Sequence, residues 1–328
     1  DAAAARPVSR VVVALSGGAD STAMAAALCE AAATHELAPS RFVVFAHFQH
    51  RLRPADDEHD DLAVVRALAA RTGVSLVVGG AARGELAASS ARAGGLEAAA
   101  RRSRYEFLVG VARLVGARHI VTAHTADDQV ETVLMRLLSG IEGALLAGIP
   151  AVRRVADGIA VYRPLLQVSR AQIESYLAHR GVTHAEDRTN REAVHVRNVV
   201  RHEILPALRG VWPAIGHDLG VLARAMASVR ERAERGAASI AWERTAGTAV
   251  VDRRSFFSAA REERLELLYR VLAELGLLRR DDRPSHRFFE PLLGADPGRS
   301  ATLVASRGIR VGIRGERLVV SRDIVRPS

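Results

Sequence analysis

The segment SGGADS, Ser16–Ser21, combines residue types that could hold a phosphate group. It stands where a run of apolar residues, Val11–Leu15, meets a helix-forming stretch. Glycines at such a corner let the backbone approach a ligand, and the following helix adds its positive end. The segment is therefore predicted to cradle phosphates, with Asp20 holding a Mg²⁺ ion that bridges to them. An ordinary glycine-rich turn, with Asp20 and Ser21 capping the helix, is the alternative.

Three acidic residues form a second candidate group at the start of a later predicted helix. Asp128 and Glu131 are three residues apart and therefore share one face of that helix, and Asp127 precedes them. Paired carboxylates at the end of a sheet suit a ligand that carries ammonium groups. The alternative is purely structural, because acidic residues stabilise a helix N-terminus and Thr125 could cap it.

Basic and imidazole side chains add further candidates. A guanidinium such as Arg104 can clamp a phosphate, although it could equally belong to a solvated arginine face. His124 follows a predicted strand and His47 lies near the end of another, whereas most lone histidines only form structural hydrogen bonds.

Alternating strands and helices position these residues. Strands are predicted at Val11–Leu15, Phe42–Phe48, Val74–Val78, His119–Ala123 and Gly158–Tyr162. The intervening segments have the spacing of amphipathic helices. This order predicts an α/β fold with a parallel sheet that is covered on both faces and binds its ligand beyond the carboxyl ends of the strands.

The second half of the chain has a different pattern. Ser169 and Gln172 form a capping-box sequence before a helix that ends near Gly181, and Asp218–Ala241 is predicted to be a long helix. A smaller α+β region follows, with a helix over Phe256–Leu275 and β-like pieces at the end. We expect a catalytic domain over residues 1–210, a helical linker over 211–245 and a small α+β domain over 246–328.

Composition limits the functions that the chain can perform. Its 328 residues carry a formal net charge of +9, and all 46 basic residues are arginine, so no lysine nucleophile or lysine-based phosphate loop can operate. Such a charge favours a polyanionic partner. A single cysteine, Cys29, excludes an intrachain disulfide, and no apolar run reaches the length of a membrane span. These features lead us to expect a cytoplasmic protein.

Several segments resemble known enzymes. SGGADS after a buried strand resembles the PP-loop of the ATP pyrophosphatase superfamily (adenine nucleotide alpha-hydrolase-like), which splits ATP into AMP and pyrophosphate. Five further segments resemble tRNA(Ile)-lysidine synthases, in order: AHFQHRLRPADDEHDD, GLEAAARRSRYEFL, TAHTADDQVETVLMRLLSGIEGALLAGI, RPLL and EDRTN with RNVVRHEILPAL. Gln49 and Thr125 depart from that pattern, where many members have asparagine and histidine.

The resemblance implies a function and a set of site residues. Enzymes of this family join free lysine to the wobble cytidine of a CAU anticodon, using ATP and Mg²⁺. Carried over to this chain, Asp128 and Glu131 hold lysine, while Arg104 and His124 contact ATP or the adenylated base. The implied ATP-binding residues are Ser16, Gly17, Gly18, Ala19, Asp20, Ser21 and His47.

The sequence also indicates a partner and leaves two other functions open. Arg191, Arg197 and Arg201 are candidate contacts to the tRNA backbone, with a solubility role as the alternative. Another adenylating PP-loop enzyme, such as a 2-thiolase, is the closest rival, and the single cysteine counts against it. A non-catalytic nucleotide-binding module is a third hypothesis. The sequence leaves the oligomeric state open, a homodimer included.

Overall fold

A computed structural model of the chain describes eight ranges of residues. These are 10–52, 55–93, 95–185, 196–245, 247–277, 288–296, 302–306 and 308–322. The chain divides into two compact units. The first unit contains Asp1–Glu131 and Ile149–Pro213, and the second contains Thr132–Gly148 and Ala214–Ser328.

The first unit is built on a six-stranded sheet with the order β3-β2-β1-β4-β6-β5. The strands are β1 (Val11–Ala14), β2 (Val43–Gln49), β3 (Ser75–Gly80), β4 (His119–Val121), β5 (Val152–Ala156) and β6 (Ile159–Tyr162). All neighbouring pairs are parallel except β5 with β6. The prediction of a mostly parallel α/β sheet is confirmed.

Strand β5 was not predicted, and it departs from the expected all-parallel arrangement. It pairs antiparallel with β6 across a turn at Asp157 and Gly158, and the φ of Gly158 is 70°. An Asp-Gly pair supports a tight hairpin because glycine adopts positive φ at no steric cost. The polar, arginine-containing sequence of β5 suits the edge of a sheet.

Helices cover both faces of this sheet. They are α1 (Ala19–Thr34), α2 (Pro39–Phe42), α3 (Ala55–Thr72), α4 (Glu85–Ala93), α5 (Leu96–Leu114), α6 (Ala126–Leu138) and α7 (Arg170–Arg180). Successive strand residues point to opposite faces. Val13 therefore packs with Met24 of α1 and Val65 of α3, whereas Val12 packs with Leu108 and Val111 of α5.

The order of the strands places a crevice beside β1. The chain proceeds from β1 to β2 and β3 on one side and then returns to β4 on the other side. The segments that leave the carboxyl ends of β1 and β4 therefore diverge, which is where such sheets bind ligands. The N-termini of α1 and α6 follow these two strand ends.

The predicted capping box of α7 is confirmed. Ser169 accepts a hydrogen bond from the Gln172 N–H, the Gln172 side chain accepts one from the Ser169 N–H, and Gly181 ends the helix in the left-handed conformation. Ile173 and Leu177 of this helix pack on small residues of α1 such as Ala23. The alanines of α1 allow this close approach.

An interrupted helix ends the first unit. It begins as α8 (Val196–Val199), continues as a π-helical turn over Val200–Ile204 and ends as α9 (Leu205–Val211). Pro206 explains the interruption, because it has no N–H to donate to the carbonyl of residue 202 and its ring crowds that carbonyl.

The second unit contains a five-stranded antiparallel sheet with the order β7-β8-β11-β10-β9. The strands are β7 (Trp242–Thr245), β8 (Thr248–Asp252), β9 (Thr302–Ser306), β10 (Ile309–Arg314) and β11 (Arg317–Arg322). A 3-10 helix at Gly143–Ala147, α10 (Ile215–Ser239), α11 (Arg253–Ser258), α12 (Arg261–Glu274) and α13 (Glu290–Leu293) complete it. Its core contains Phe256, Leu268, Phe289 and Val311.

The prediction of a single helix over Phe256–Leu275 was wrong. Two helices, α11 and α12, occupy this region, because Ala259 and Ala260 are extended and the Glu263 carboxylate accepts a hydrogen bond from the Ala260 N–H at 3.0 Å. The β-like pieces at the C-terminal end are confirmed as β9, β10 and β11.

None of the helices in the described ranges has the length and hydropathy that crossing a membrane requires.

Candidate active site

A cavity of about 440 Å³ opens at the carboxyl ends of β1, β2 and β4. Its size is typical of a small-molecule site. The structure places eight of the predicted site residues in its lining: Ser16, Asp20, Ser21, His47, Arg104, His124, Asp128 and Arg197. Glu131 and Arg201 contact each other beside it, and Gly17, Gly18 and Ala19 continue the Ser16–Ser21 loop. Arg191 lies outside the described residues.

The loop between β1 and α1 is closed by its two serine side chains. Ser21 Oγ accepts a hydrogen bond from the Ser16 N–H at 3.1 Å, lies 2.9 Å from Ser16 Oγ and donates to the Gly18 carbonyl at 3.1 Å. No side chain caps the start of α1, where Gly18 is extended. The first N–H groups of the helix are therefore oriented to bind an anion.

Gly17 provides the backbone geometry of this corner. Its φ is 98°, and a Cβ atom at this position would lie 2.9 Å from the carbonyl oxygen of Asp61. Its own carbonyl accepts a hydrogen bond from the Ala185 N–H at 3.0 Å. A side chain at position 17 is excluded both by conformation and by space.

Asp20 faces the cavity from the first turn of α1. Its Oδ1 lies 2.9 Å from Nη1 of Arg170. Burial raises the pKa of the Asp20 carboxyl, the Arg170 charge opposes this rise, and the negative charge of Asp128 adds to it. Asp20 and Asp128 therefore lie close enough for their charges to interact across the cavity.

Glu131 is buried and is held by two arginines. Its carboxylate accepts two hydrogen bonds from Arg201, at 2.6 and 3.0 Å, and lies 3.2 Å from Nε of Arg197. Arg201 also approaches Asp128 Oδ1 at 3.6 Å. Burial lowers the pKa of Arg201, but the hydrogen bonds and the charges of these acids raise it above its ordinary value.

Asp128 lines the cavity and also takes part in the N-terminal cap of α6. Its Oδ2 accepts hydrogen bonds from the Thr125 N–H at 2.9 Å and from Thr125 Oγ1 at 3.2 Å, while the Asp128 N–H donates to Thr125 Oγ1 at 3.3 Å. Thr125 therefore caps α6, as the structural alternative supposed. One oxygen of Asp128 serves this cap, and the other lies towards Arg201.

Asp127 is oriented differently from its two acidic neighbours. It accepts a hydrogen bond from the Arg170 N–H at 2.7 Å and lies 3.8 Å from Arg209, and it is absent from the cavity lining. The structure thus separates the three acidic residues into a pair that borders the cavity and one that holds α7.

Arginines surround His124 on the other side of the cavity. Its Nδ1 lies 3.1 Å from Thr122 Oγ1. Burial, together with the positive charges of Arg163, Arg101 and Arg104, lowers the pKa of His124 to about 3. His124 is therefore neutral around pH 7 and can position a ligand by hydrogen bonding, but it is too weak a base to remove a proton from an ammonium group.

His47 has a structural hydrogen bond, and the single cysteine, Cys29, lies in the core. Nδ1 of His47 donates to the Leu15 carbonyl at 2.8 Å and ties the end of β2 to the end of β1. Cys29, on α1, is buried in the core, and burial raises the pKa of its thiol to about 11. It is therefore not a thiolate near pH 7.

Some residues of the site were missed. Tyr105 contacts the cavity residues Arg101 and Arg104, Arg163 contacts Tyr105, and Arg170 contacts Asp20. No role was predicted for these three from the sequence. Arg163 and Tyr105 stand in the quoted RPLL and EAAARRSRYEFL segments, so a signal was present. Arg170 carries no such signal, because it reaches Asp20 from a helix 150 residues further along the chain.

Comparison of the sequence with protein-family models agrees with a glycine-rich loop at the end of a parallel strand. The family model of the PP-loop domain matches residues 2–208. The chain belongs to this family. The match includes the Ser16–Ser21 corner and every predicted site residue of the first unit.

Curated relatives and solved structures are also similar to the chain. It is 39% identical over 307 residues to a tRNA(Ile)-lysidine synthase of Thermus thermophilus, covering 90% of this chain and 54% of that relative. One of Deinococcus deserti is 43% identical over 215 residues, which cover 65% of this chain and 37% of the relative. The chain thus spans about half the length of these relatives, or less.

A solved structure shares the fold at low sequence identity. A U34-tRNA thiolase from Methanococcus maripaludis, solved with its [4Fe-4S] cluster, superimposes with a TM-score of 0.52 at 14% identity. The superposition covers 67% of this chain and 73% of the thiolase. This similarity concerns the fold alone.

We predict that Gly17→Ala destabilises the chain and weakens ATP binding. The positive φ alone costs about 1–2 kcal/mol for a residue with a Cβ atom, and the contact with Asp61 adds to this cost. Gly18→Ala is the matched control for stability, because Gly18 has an ordinary φ and its Cβ would meet only Ser16 Oγ at 3.7 Å. Urea unfolding and calorimetric ATP titration measure both effects. Equal stability of the two variants would contradict the prediction.

We predict that His124 contributes a pH-dependent part of the stability. The folded pKa of about 3 lies below the ordinary 6.5, so the unfolded chain binds the proton more readily. The contribution is complete above pH 6.5 and is lost as the pH falls towards 3. The unfolding free energy of the wild type minus that of His124→Gln should therefore decrease on acidification. A difference that does not change with pH would refute the low pKa.

Proposed function

We propose that the chain ligates free L-lysine to the wobble cytidine of the CAU anticodon of tRNA(Ile), forming lysidine. The observation that carries the proposal is the division of charge in one cavity. A PP-loop suited to phosphate stands beside Asp128 and Glu131, which are suited to an ammonium group. The names of the curated relatives support the same substrate, and the enzyme would be a ligase that forms a C–N bond.

The chemical problem in this reaction is the leaving group. The 2-carbonyl oxygen of cytosine does not leave when an amine attacks C2. In the proposed reaction this oxygen attacks the α-phosphate of ATP, which releases pyrophosphate and forms an adenylated base. The ε-amine of lysine then attacks C2, and AMP leaves with the former carbonyl oxygen. The lysine nitrogen loses a proton in this step, since its ordinary pKa is about 10.4.

The PP-loop and Asp20 are the proposed ATP site. The start of α1, with Ser16 and Ser21, offers N–H and hydroxyl donors to the phosphates. Asp20 also suits Mg²⁺, because that ion is held in proteins by one or two carboxylates together with substrate phosphates. When bound, the ion would neutralise charge on the phosphates.

Asp128 and Glu131 are the proposed lysine site. The guanidinium of Arg201 now satisfies the buried Glu131 carboxylate, and it shows that this position accepts a nitrogen cation. In the proposed complex the lysine ammonium shares these carboxylates with Arg201 and Arg197, or takes over part of their contacts. His124, whose pKa is lowered by burial and by the nearby arginines, is suited to orienting a substrate by hydrogen bonding.

Arg104 and the tRNA contacts complete the proposal. Arg104 lines the cavity and would stabilise negative charge on the phosphate that is transferred. Arg197 lies in the cavity lining, where it could reach the substrate nucleotide, whereas the described contacts of Arg201 are with the acids. The proposed partners are tRNA(Ile) and lysine, and the proposed location is the cytoplasm. The raised pKa of the buried Cys29 gives no support to the thiolase alternative.

Incorporation of labelled lysine tests the proposal. A CAU-anticodon tRNA(Ile) transcript is incubated with the chain, ATP, Mg²⁺ and labelled lysine, beside a tRNA(Met) transcript as the control. We expect label in tRNA(Ile), with one AMP released for each lysine incorporated. Bound ATP without label or AMP would refute the ligase function and leave a nucleotide-binding module.

We predict that Asp128→Asn raises the KM for lysine by about tenfold or more, while ATP affinity is retained. A hydrogen bond to a charged group contributes about 1.5–3 kcal/mol, and the asparagine oxygen can still accept the Thr125 cap. Glu131→Gln is expected to act in the same direction and is checked for folding, because Arg201 would lose its partner.

Asp127→Asn is the matched control for these variants. It removes an equal charge from the same helix turn without changing the cavity lining. We expect its KM for lysine to remain near that of the wild type. An equal rise of the KM in the Asp127 and Asp128 variants would assign the effect to the helix N-terminus instead of a lysine site.

A further inference from the structure

Four arginines gather around one tyrosine on α5. The Cζ atoms of Arg101, Arg104 and Arg153 lie 5.0, 5.7 and 6.0 Å from the centroid of the Tyr105 ring. Arg163, at the end of β6, reaches the Tyr105 hydroxyl at 3.4 Å. Arg101 and Arg104 also line the cavity. Three elements of the first unit thus converge on one strongly positive region.

Three of these four arginines form no ion pair with an acid of the described residues. None of the ion pairs within 4.0 Å among the described residues includes Arg101, Arg104 or Arg163. The cavity acids Asp20, Asp128 and Glu131 pair instead with Arg170, Arg197 and Arg201. Glu97 lines the cavity one turn before Arg101, but it also forms none of these ion pairs.

Burying these arginines without an anion costs folding free energy. Arg163 is only 3% exposed. Its Nη1 donates to the Pro150 carbonyl at 2.7 Å and its Nη2 to the Tyr105 hydroxyl at 3.4 Å, whereas its Nε has no hydrogen-bond partner among the described residues. Burial, together with the charges of Arg101 and Arg163, lowers the pKa of Arg104. Like charges that are gathered out of water without a counterion destabilise a fold, and a tyrosine ring offsets only part of that cost. Such a cluster is well suited to an anionic ligand.

The position of the cluster separates it from the PP-loop. Helix α1, which begins at the PP-loop, packs on the sheet face of Val13, whereas α5 packs on the opposite face of Val12. The two positive regions therefore approach the cavity from opposite faces of the sheet. The PP-loop provides for the phosphates of one nucleotide, and a guanidinium cluster can bind a second phosphate by its planar fork.

We propose that Arg101, which lines the cavity one turn before Arg104, forms a second phosphate subsite, which binds a phosphodiester of the RNA strand next to the target nucleotide. The identity of the strand rests on the proposed function, whereas the phosphate chemistry rests on the cluster alone. The subsite holds the backbone of the substrate against α5. The base is then left free to enter the cavity towards the PP-loop. Contacts of this kind position RNA without reading its sequence.

Binding of a short RNA, without lysine or ATP, tests the subsite. The probe is a seven-nucleotide single-stranded RNA with CAU at its centre, titrated by fluorescence anisotropy over a range of salt concentrations. We expect Arg101→Met to weaken binding by about tenfold. The slope of log K against log salt should also fall by about one, as expected when one phosphate contact is lost. Affinity for Mg-ATP, measured separately, should stay near that of the wild type.

Arg102→Met is the matched control. Arg102 is the next residue of the same helix, is exposed and does not line the cavity. We expect it to change RNA affinity by less than about twofold, as is usual for an exposed charge. Tyr105→Phe is the second variant, because it keeps the ring and removes only the hydroxyl that Arg163 contacts. Circular dichroism confirms that each variant is folded.

The outcomes separate the possible sources of the phosphate. Weaker RNA binding with unchanged ATP binding supports the proposal, even if the wild type incorporates no lysine. Weaker ATP binding with unchanged RNA binding would overturn the RNA assignment and identify the phosphate as that of the nucleotide. If Arg101→Met resembles Arg102→Met with both probes, the cluster is not a phosphate subsite.

Discussion

The corner at Gly17 is the backbone constraint on which the rest of the site depends. A buried parallel strand has to turn into a helix within a few residues, and only a residue without a Cβ atom fits the positive φ and the nearby Asp61 carbonyl. This turn brings the start of α1 to the cavity, and the Gly17 carbonyl also receives the Ala185 N–H. Ser16, Asp20 and Ser21 line the cavity because the backbone turns at this point.

Separation of charge is the second principle of the cavity. On the side of α6 and α7, acids are paired with arginines, and the buried Glu131 accepts two hydrogen bonds from Arg201. On the side of α5, arginines gather around Tyr105 and hold His124 neutral. A cation and a phosphate can therefore be bound in one cavity without neutralising each other.

The interrupted helix over residues 196–211 shows how a local irregularity supports this arrangement. Pro206 removes a helical hydrogen bond, and the π-helical turn that precedes it contains Arg201. A π-helical turn changes the angular spacing between Arg197 and Arg201 from that of a regular helix. Both guanidiniums reach the same buried Glu131 carboxylate. Residues four apart already share one face of a regular helix, so the π-helical turn adjusts the angle between Arg197 and Arg201 and is not what brings them together.

Much of this protein follows from local sequence signals. The apolar run of β1 and the glycines after it predicted the strand, the turn and the helix, because side-chain periodicity and glycine conformation act within a few residues. The capping box at Ser169 followed from the same local rules. The positions of most strands and the α/β class were predictable for this reason. The short edge strand β5 and the break at Ala259 were not, because a sheet edge and the Glu263 carboxylate decided them.

Only the tertiary structure decided which charges meet. The sequence marked Asp128, Glu131, Arg197 and Arg201 as separate candidates, for lysine and for tRNA, and the fold joins them into one ion-pair group. Likewise, Arg163 and Arg101 lie far apart in sequence and converge on one ring. Pairing between distant charges depends on burial and on the crossing of elements, neither of which a local pattern contains. The sequence by itself determined the fold class and the phosphate loop, and the packing of the helices on the sheet decided the charge pattern of the cavity.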